Sequence, residues 1–201
     1  MSIADKYRPQ YTYADYVQWE GKWELIDGMP YAMSPSPVRV HQETNFNFGK
    51  AFDKAILPQC QACKVFMSPF DWKVNDNTVV QPDLMVVCGE FDTDFLEFAP
   101  SLVVEVLSPS TALKDRHEKF ELYEQEGVHY YLIVDPKFKK VEIYQLIEGK
   151  YQPVSISPRS SLSTLKKAVR SMCPFLIFGA KATIQVVPAT PPNYSRIFAA
   201  K

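Results

Sequence analysis

Glu105 stands inside Val103-Val104-Glu105-Val106-Leu107, an apolar and β-branched run that reads as an interior strand. An ionised carboxylate there loses its hydration, at a cost of several kcal/mol unless a cation faces it. Asp83 raises the same question, because Gln81-Pro82-Asp83 opens directly onto Leu84-Met-Val-Val87. If the two strands are neighbours, the carboxylates of Asp83 and Glu105 meet at one end of a sheet. Oxygen ligands of that kind suit a hard cation such as Mg²⁺ or Mn²⁺. In the metal-free alternative, Asp83 caps a turn and Glu105 pairs with a buried Arg or Lys.

Downstream, Asp115, Lys119 and Tyr123 are spaced i, i+4, i+8 and share one helical face. Lys119 can reach back toward the strand ends, where an ammonium beside a cation would orient an attacking water. As a surface pair with Asp115 it would contribute only ~0.3–0.5 kcal/mol. Glu24 is either a third acid near the metal or a hairpin residue paired with a cation. His41 either contacts a phosphate and closes the site, or is a satisfied structural histidine. Ser108 and Ser110 lack a GxSxG elbow, and no P-loop or GxGxxG occurs, which leaves serine-hydrolase and nucleotide-binding readings without support. Cys60 and Cys63 form a lone CxxC, with Cys88 and Cys173 isolated. No second ligand pair follows at zinc spacing, so free buried thiols are expected.

These residues need elements to hold them. Thr12 N-caps a helix through Trp19, and Asp27-Gly28 turns a hairpin that starts at Trp23. Ser34-Pro-Ser-Pro37 is a rigid connector. A helix runs from Val38 to about Leu57, with Val38, His41, Thr44/Asn45, Phe48, Phe52 and Ala55 near one face, and Pro58 stops it. Lys64 to Val74 and Thr78 to Val87 read as two strands about Asn75-Asp-Asn77. Leu102–Leu107 is a central strand, Leu113–Glu126 a helix ending at Gly127, and His129–Val134, Lys140–Ile147 and Tyr151–Ile156 are strands. A short amphipathic segment spans Leu162 to Met172, followed by Phe175-Leu-Ile-Phe178. The order predicts an α/β (α+β) mixed sheet flanked by helices in one domain over 1–201, with residues 1–37 as a helix-and-hairpin extension and 188–201 as an extended tail.

Composition is ordinary for a globular chain, at 201 residues, 46% hydrophobic and 22% charged. It excludes collagen, long coiled coil and full disorder. No apolar run is long enough to cross a membrane, and the N-terminus has no apolar signal region, so a cytoplasmic protein is expected. The net charge of −1 hides an asymmetry. Residues 1–136 hold 11 Lys and Arg against 21 Asp and Glu, and residues 137–201 hold 11 against 2. Such a split is a cue for an anionic partner, although two parts folded against each other would also produce it.

Together the motifs carry a resemblance. Asp83 after Pro82, followed by Glu105 in a strand, resembles the PD-(D/E)XK nuclease superfamily. More closely, the chain is similar to the Uma-type restriction endonuclease family of bacteria. The matching pieces are Trp23-Glu-Leu-Ile-Asp-Gly28 with Met33-Ser-Pro-Ser-Pro37, His41-Gln42, Val80-Gln-Pro-Asp83, Val104-Glu-Val-Leu-Ser-Pro-Ser-Thr111, Asp115 with Lys119 and Tyr123, Gly127-Val128 with Tyr131-Leu-Ile-Val-Asp-Pro136, and Val141-Glu-Ile-Tyr144. They run from about Thr12 to Phe178. The resemblance implies a restriction-endonuclease-like mixed sheet and a metal-dependent endonuclease acting on DNA. It implies Asp83 and Glu105 as ligands of Mg²⁺ or Mn²⁺ and a homodimer as the working form. Glu24, His41 and Asp115 would be accessory. The superfamily lysine belongs two residues after the second acid, where this chain has Leu107, so its role falls to Lys119. A catalytically silent DNA-binding or protein-interaction module on the same fold is the alternative.

Overall fold

The structure is a computed structural model that describes residues 8–33, 38–56, 60 and 62–154. The Pro37 and Pro58 boundaries, the segments at 162–172 and 175–178, and the 188–201 tail lie outside the described residues.

The N-terminal helix is a single turn, α1 (Tyr13–Tyr16), rather than a helix reaching Trp19. Thr12 opens it, giving its backbone N–H and its hydroxyl to Asp15 Oδ2 at 2.8 Å each. The hairpin β1 (Trp23–Ile26) and β2 (Met29–Ala32) turns where expected, with Asp27 and Gly28 both at positive φ. The long helix α2 (Arg39–Ile56) buries His41, Asn45, Gly49, Phe52, Ala55 and Ile56 along one face. Val38 instead precedes the helix and is exposed.

The two strands expected over 64–87 are four: β3 (Cys63–Met67), β4 (Trp72–Asn75), β5 (Thr78–Val80) and β6 (Leu84–Cys88). Proline has no N–H to give a ladder, and Pro69 and Pro82 interrupt the runs where the chain changes sheets. It leaves a six-stranded sheet after β3, turns the β4–β5 hairpin in a four-stranded sheet of order β2-β1-β5-β4, and returns at β6. The N-terminal hairpin joins that small sheet through the Leu25↔Val79 pair.

The expected central strand is β7 (Leu102–Val106), every residue of it buried. It lies between antiparallel β6 and parallel β8 (Tyr130–Asp135), and β9 (Lys140–Ile147) and β10 (Lys150–Pro153) complete the order β10-β9-β8-β7-β6-β3. The helix expected over 113–126 is broken at His117, whose φ of −123° and ψ of −75° separate α3 (Ala112–Arg116) from α4 (Glu118–Gln125). No proline or glycine marks that break. Strand alternation sorts the main sheet's faces. Leu84, Val86, Leu102, Val104 and Val106 pack with Phe52 and Ile56 of α2. Met85, Val103, Tyr131 and Ile133 pack with Tyr123 of α4 and with Ile26, Trp72 and Val80 of the small sheet.

The cysteines depart from expectation. Cys60, Cys63 and Cys88 are not separate thiols: the Cys63 sulfur contacts those of both Cys60 and Cys88. The restriction-endonuclease-like mixed sheet with helices on its faces is otherwise the architecture anticipated.

Candidate active site

Asp83 is the first residue after the Pro82 crossing, so it stands where the chain enters β6 from the small sheet. Its neighbour across the ladder is the end of β7, through the pair Leu84↔Val104. The acid is bound on three sides. Val106 N donates to Asp83 Oδ2 at 2.8 Å, His41 Nε2 lies 3.1 Å from the same oxygen, and Asn45 Nδ2 donates to the Asp83 carbonyl at 2.9 Å. His41 and Asn45 are i, i+4 on α2, so one helical face clamps one acid. Burial disfavours a charge on His41, but the Asp83 carboxylate outweighs it and raises the histidine's pKa.

Glu105 follows Val103 by two residues and therefore points to the α4 side of the sheet. Lys119 Nζ and Tyr123 OH each donate to its Oε1 at 2.8 Å. Its Oε2 faces the Asp83 backbone N–H at 3.4 Å. The cation expected in the metal-free reading is thus present, and it is the same Lys119 named for chemistry. That lysine is shared, with Glu24 Oε1 at 2.8 Å and Asp115 Oδ1 at 3.8 Å.

Glu24 proves to be central. It is wholly buried in β1, where it also accepts from Gln81 N at 2.9 Å and pairs with Lys114. Behind Gln81, its Nε2 reaches Asp71 Oδ1 at 2.7 Å and the Tyr16 hydroxyl at 3.2 Å. The crossing is therefore held at once by the hairpin, by α1 and by Asp71, the residue just before β4.

Electrostatics divides the acids. Burial acts to raise the Glu24 pKa, but Lys119 and Lys114 overcome it and hold the group below its ordinary value. For Glu105, burial wins over Lys119, and Asp115 and Asp83 add to it, so its pKa is raised. Asp115 is raised likewise, chiefly by burial. Lys119 is the reverse case: burial opposes its charge, yet Glu105, Glu24 and Asp115 push its pKa well above the ordinary lysine value.

All six residues anticipated from the sequence, Asp83, Glu105, Lys119, Glu24, His41 and Asp115, therefore fall in one connected cluster. Lys114, Asn45, Gln81 and Tyr123 also belong to it. Asn45 had a signal in its i+4 spacing from His41, and Tyr123 in its spacing from Lys119. Lys114 had none, because only the break at His117 allows both helical pieces to face Glu24. Leu107 stays an apolar residue packed beside the aromatic face.

The cluster's charge suits a divalent cation. Four carboxylates (Glu24, Asp83, Glu105, Asp115) meet two ammonium groups (Lys114, Lys119). The excess negative charge is carried by hard oxygens, the donors that Mg²⁺ and Mn²⁺ prefer. Among the described residues, Asp83 Oδ1 and Glu105 Oε2 face no side-chain donor, whereas Asp83 Oδ2 meets His41 and Glu105 Oε1 meets Lys119 and Tyr123.

Comparison with known proteins gives a family and a fold. The profile of the Uma2 family, described as "Putative restriction endonuclease", matches residues 13–173. Two proteins of Synechocystis sp. are similar: uncharacterized protein slr1290, 32% identical over 145 residues (68% of this chain, 74% of that protein), and uncharacterized protein sll1609, 30% identical over 146 residues (68% and 81%). Among solved structures, "a putative nuclease belonging to DUF820" from Anabaena variabilis superposes with a TM-score of 0.61 at 17% identity, over 73% of this chain and 85% of that one. At that identity the likeness is one of fold.

Proposed function

The chain belongs to the Uma2 restriction endonuclease family, and from that premise we propose that it hydrolyses DNA phosphodiester bonds with a divalent cation, Mg²⁺ or Mn²⁺, held by Asp83 and Glu105. The observation that carries this reading is the charge imbalance: three buried acids, Glu24, Glu105 and Asp115, and the half-buried Asp83 stand against two lysines at one strand crossing. A bound cation would supply Lewis acidity and charge neutralisation at the phosphate.

The chain's own groups do the rest. His41 and Val106 N fix one oxygen of Asp83 and leave the other outward. Glu24 anchors Lys119 from the side away from Glu105. Held between two carboxylates, Lys119 remains an ammonium, so its role is to donate a hydrogen bond and to stabilise negative charge on the reacting phosphate rather than to take a proton. It replaces the lysine absent at Leu107. The excess of Lys and Arg after residue 136 would grip the DNA backbone. A homodimer, which brings two sites to two strands, and a cytoplasmic setting fit this reading.

A silent module on the same fold is the second reading. It is favoured by the commitment of Lys119, 3% exposed, to Glu24 and Glu105. Nicking of supercoiled plasmid in Mg²⁺ or Mn²⁺ separates the two. Wild type should nick, and Asp83→Ala and Lys119→Met should each lose on the order of 10²–10³-fold, the scale for one electrostatic group. Wild type that binds DNA in a salt-sensitive way and nicks no faster than Asp83→Ala would establish the silent module.

A further inference from the structure

We infer that Cys60, Cys63 and Cys88 form a second, separate metal site, one that takes a thiophilic d¹⁰ cation of the Zn²⁺ class on three thiolates. The three sulfurs all lie within 4.8 Å of one another. Cys63 and Cys88 are direct cross-strand partners on β3 and β6, with Cα atoms 4.0 Å apart. Cys60 approaches from the end of α2, its N–H on the Ile56 carbonyl at 3.0 Å and its own carbonyl accepting from Cys63 N at 3.2 Å. That turn brings both sulfurs of the CxxC to the same side.

The Cys63 sulfur contacts both neighbours at once. One sulfur can join only one disulfide, which would leave the third thiol pressed against a bond it does not share. A single cation uses all three alike. With Zn–S bonds near 2.3 Å, tetrahedral thiolates stand roughly 3.8 Å apart, so small side-chain rotations seat the ion. Thiolates are soft ligands, which separates this site from the oxygen cluster by metal preference. Cys63 is buried, while Cys60 and Cys88 are half-buried, so the fourth position opens toward solvent and takes a water.

The place in the fold gives the site its role. β6 begins beside Asp83 and ends at Cys88. α2 begins with His41 and Asn45 on Asp83 and ends next to Cys60. The ion therefore ties the far ends of the two elements whose near ends clamp the acid, and its function is positional.

The test uses the full-length chain purified in reductant, with zinc counted by mass spectrometry and the site probed by Co²⁺ absorption. About one zinc per chain is expected, together with a thiolate-to-cobalt charge-transfer band. Cys63→Ser should abolish both. Cys60→Ser, at a half-buried position outside the strands, should weaken zinc affinity by more than ~100-fold, above the loss typical of groups that only support a ligand. Asp83→Ala should keep the band, showing that the ion is not on the acid cluster. Zinc content in wild type no higher than in Cys63→Ser overturns the inference. So does alkylation mapping that finds Cys63 in a disulfide while zinc is present.

Discussion

Two groups of buried charge hang from the α3–α4 segment, and they are balanced in opposite ways. Around Glu142, one acid meets two cations: Arg116 forks onto both oxygens at 2.8 and 2.9 Å, and Lys140 lies at 3.2 Å. Burial works to raise the Glu142 pKa, but Arg116 and Lys140 overcome it and hold it down to about 2. Around Glu105 the ratio is reversed, and Glu105 and Asp115 are both pushed up. A cluster that serves only the fold satisfies its own charges, because unpaired buried charge is costly. One that does not is completed from outside. The contrast supports the proposed site without reference to any motif.

The most disruptive way to break that contrast is to remove the acid that Lys119 and Lys114 both depend on. Glu24→Gln leaves the buried Lys119 and the half-buried Lys114 short of a partner, and loss of one member of a buried pair typically costs about 3–5 kcal/mol. A drop of that size should appear in urea or thermal unfolding. Glu105→Gln removes part of the excess negative charge and should destabilise the metal-free protein far less. Equal losses in the two variants would show that the acids are not divided as described.

The divalent cation supplies the next effect. Titrating Mg²⁺ into dialysed protein should raise the unfolding free energy by ~2.7 kcal/mol at a hundredfold excess over Kd. Asp83→Ala should show no such gain. Mg²⁺ is the informative ion because the three thiolates do not compete for it.

How far the sequence foretold this depends on whether a residue's partners are near in sequence. Glu105 announced itself because an acid in a β-branched run has no cheap explanation. Lys119 was visible through its helical spacing, and the Asp27-Gly28 hairpin through its turn chemistry. The sheet change at Gln81-Pro82 was harder. Both flanking runs read as continuous strands, and only the pairing of β5 with β1 shows that they belong to different sheets. Glu24 could be read as a hairpin residue for the same reason: its partners Lys119, Lys114 and Gln81 are brought in by tertiary packing. The break at His117 has no local signal, and without it Lys114 points away from the cluster. The gathering of Cys60, Cys63 and Cys88 depends on the β3–β6 register, which cysteine spacing does not encode.

The smallest effect is the one that fixes the sign of the comparison. Glu142 has a folded pKa near 2, below its ordinary 4.5. Its ion pairs therefore add stability that is fully present above pH ~4.5 and is lost as pH falls through 2. The raised acids, Glu105 and Asp115, act the other way in metal-free protein: the folded state takes up protons first, so their burden on stability is relieved as pH falls. In melts from pH 7 to pH 2.5, Glu142→Gln should start roughly 1–3 kcal/mol below wild type, the scale for charged hydrogen bonds. The gap should narrow as wild type loses the pair on acidification. For Glu105→Gln, wild type should gain on the variant as pH falls from neutral, because protonation cancels the charge that the substitution has already removed. Parallel pH slopes for the two variants would mean that both clusters are ordinary ion pairs, and the imbalance that singles out Asp83 and Glu105 would lose its meaning.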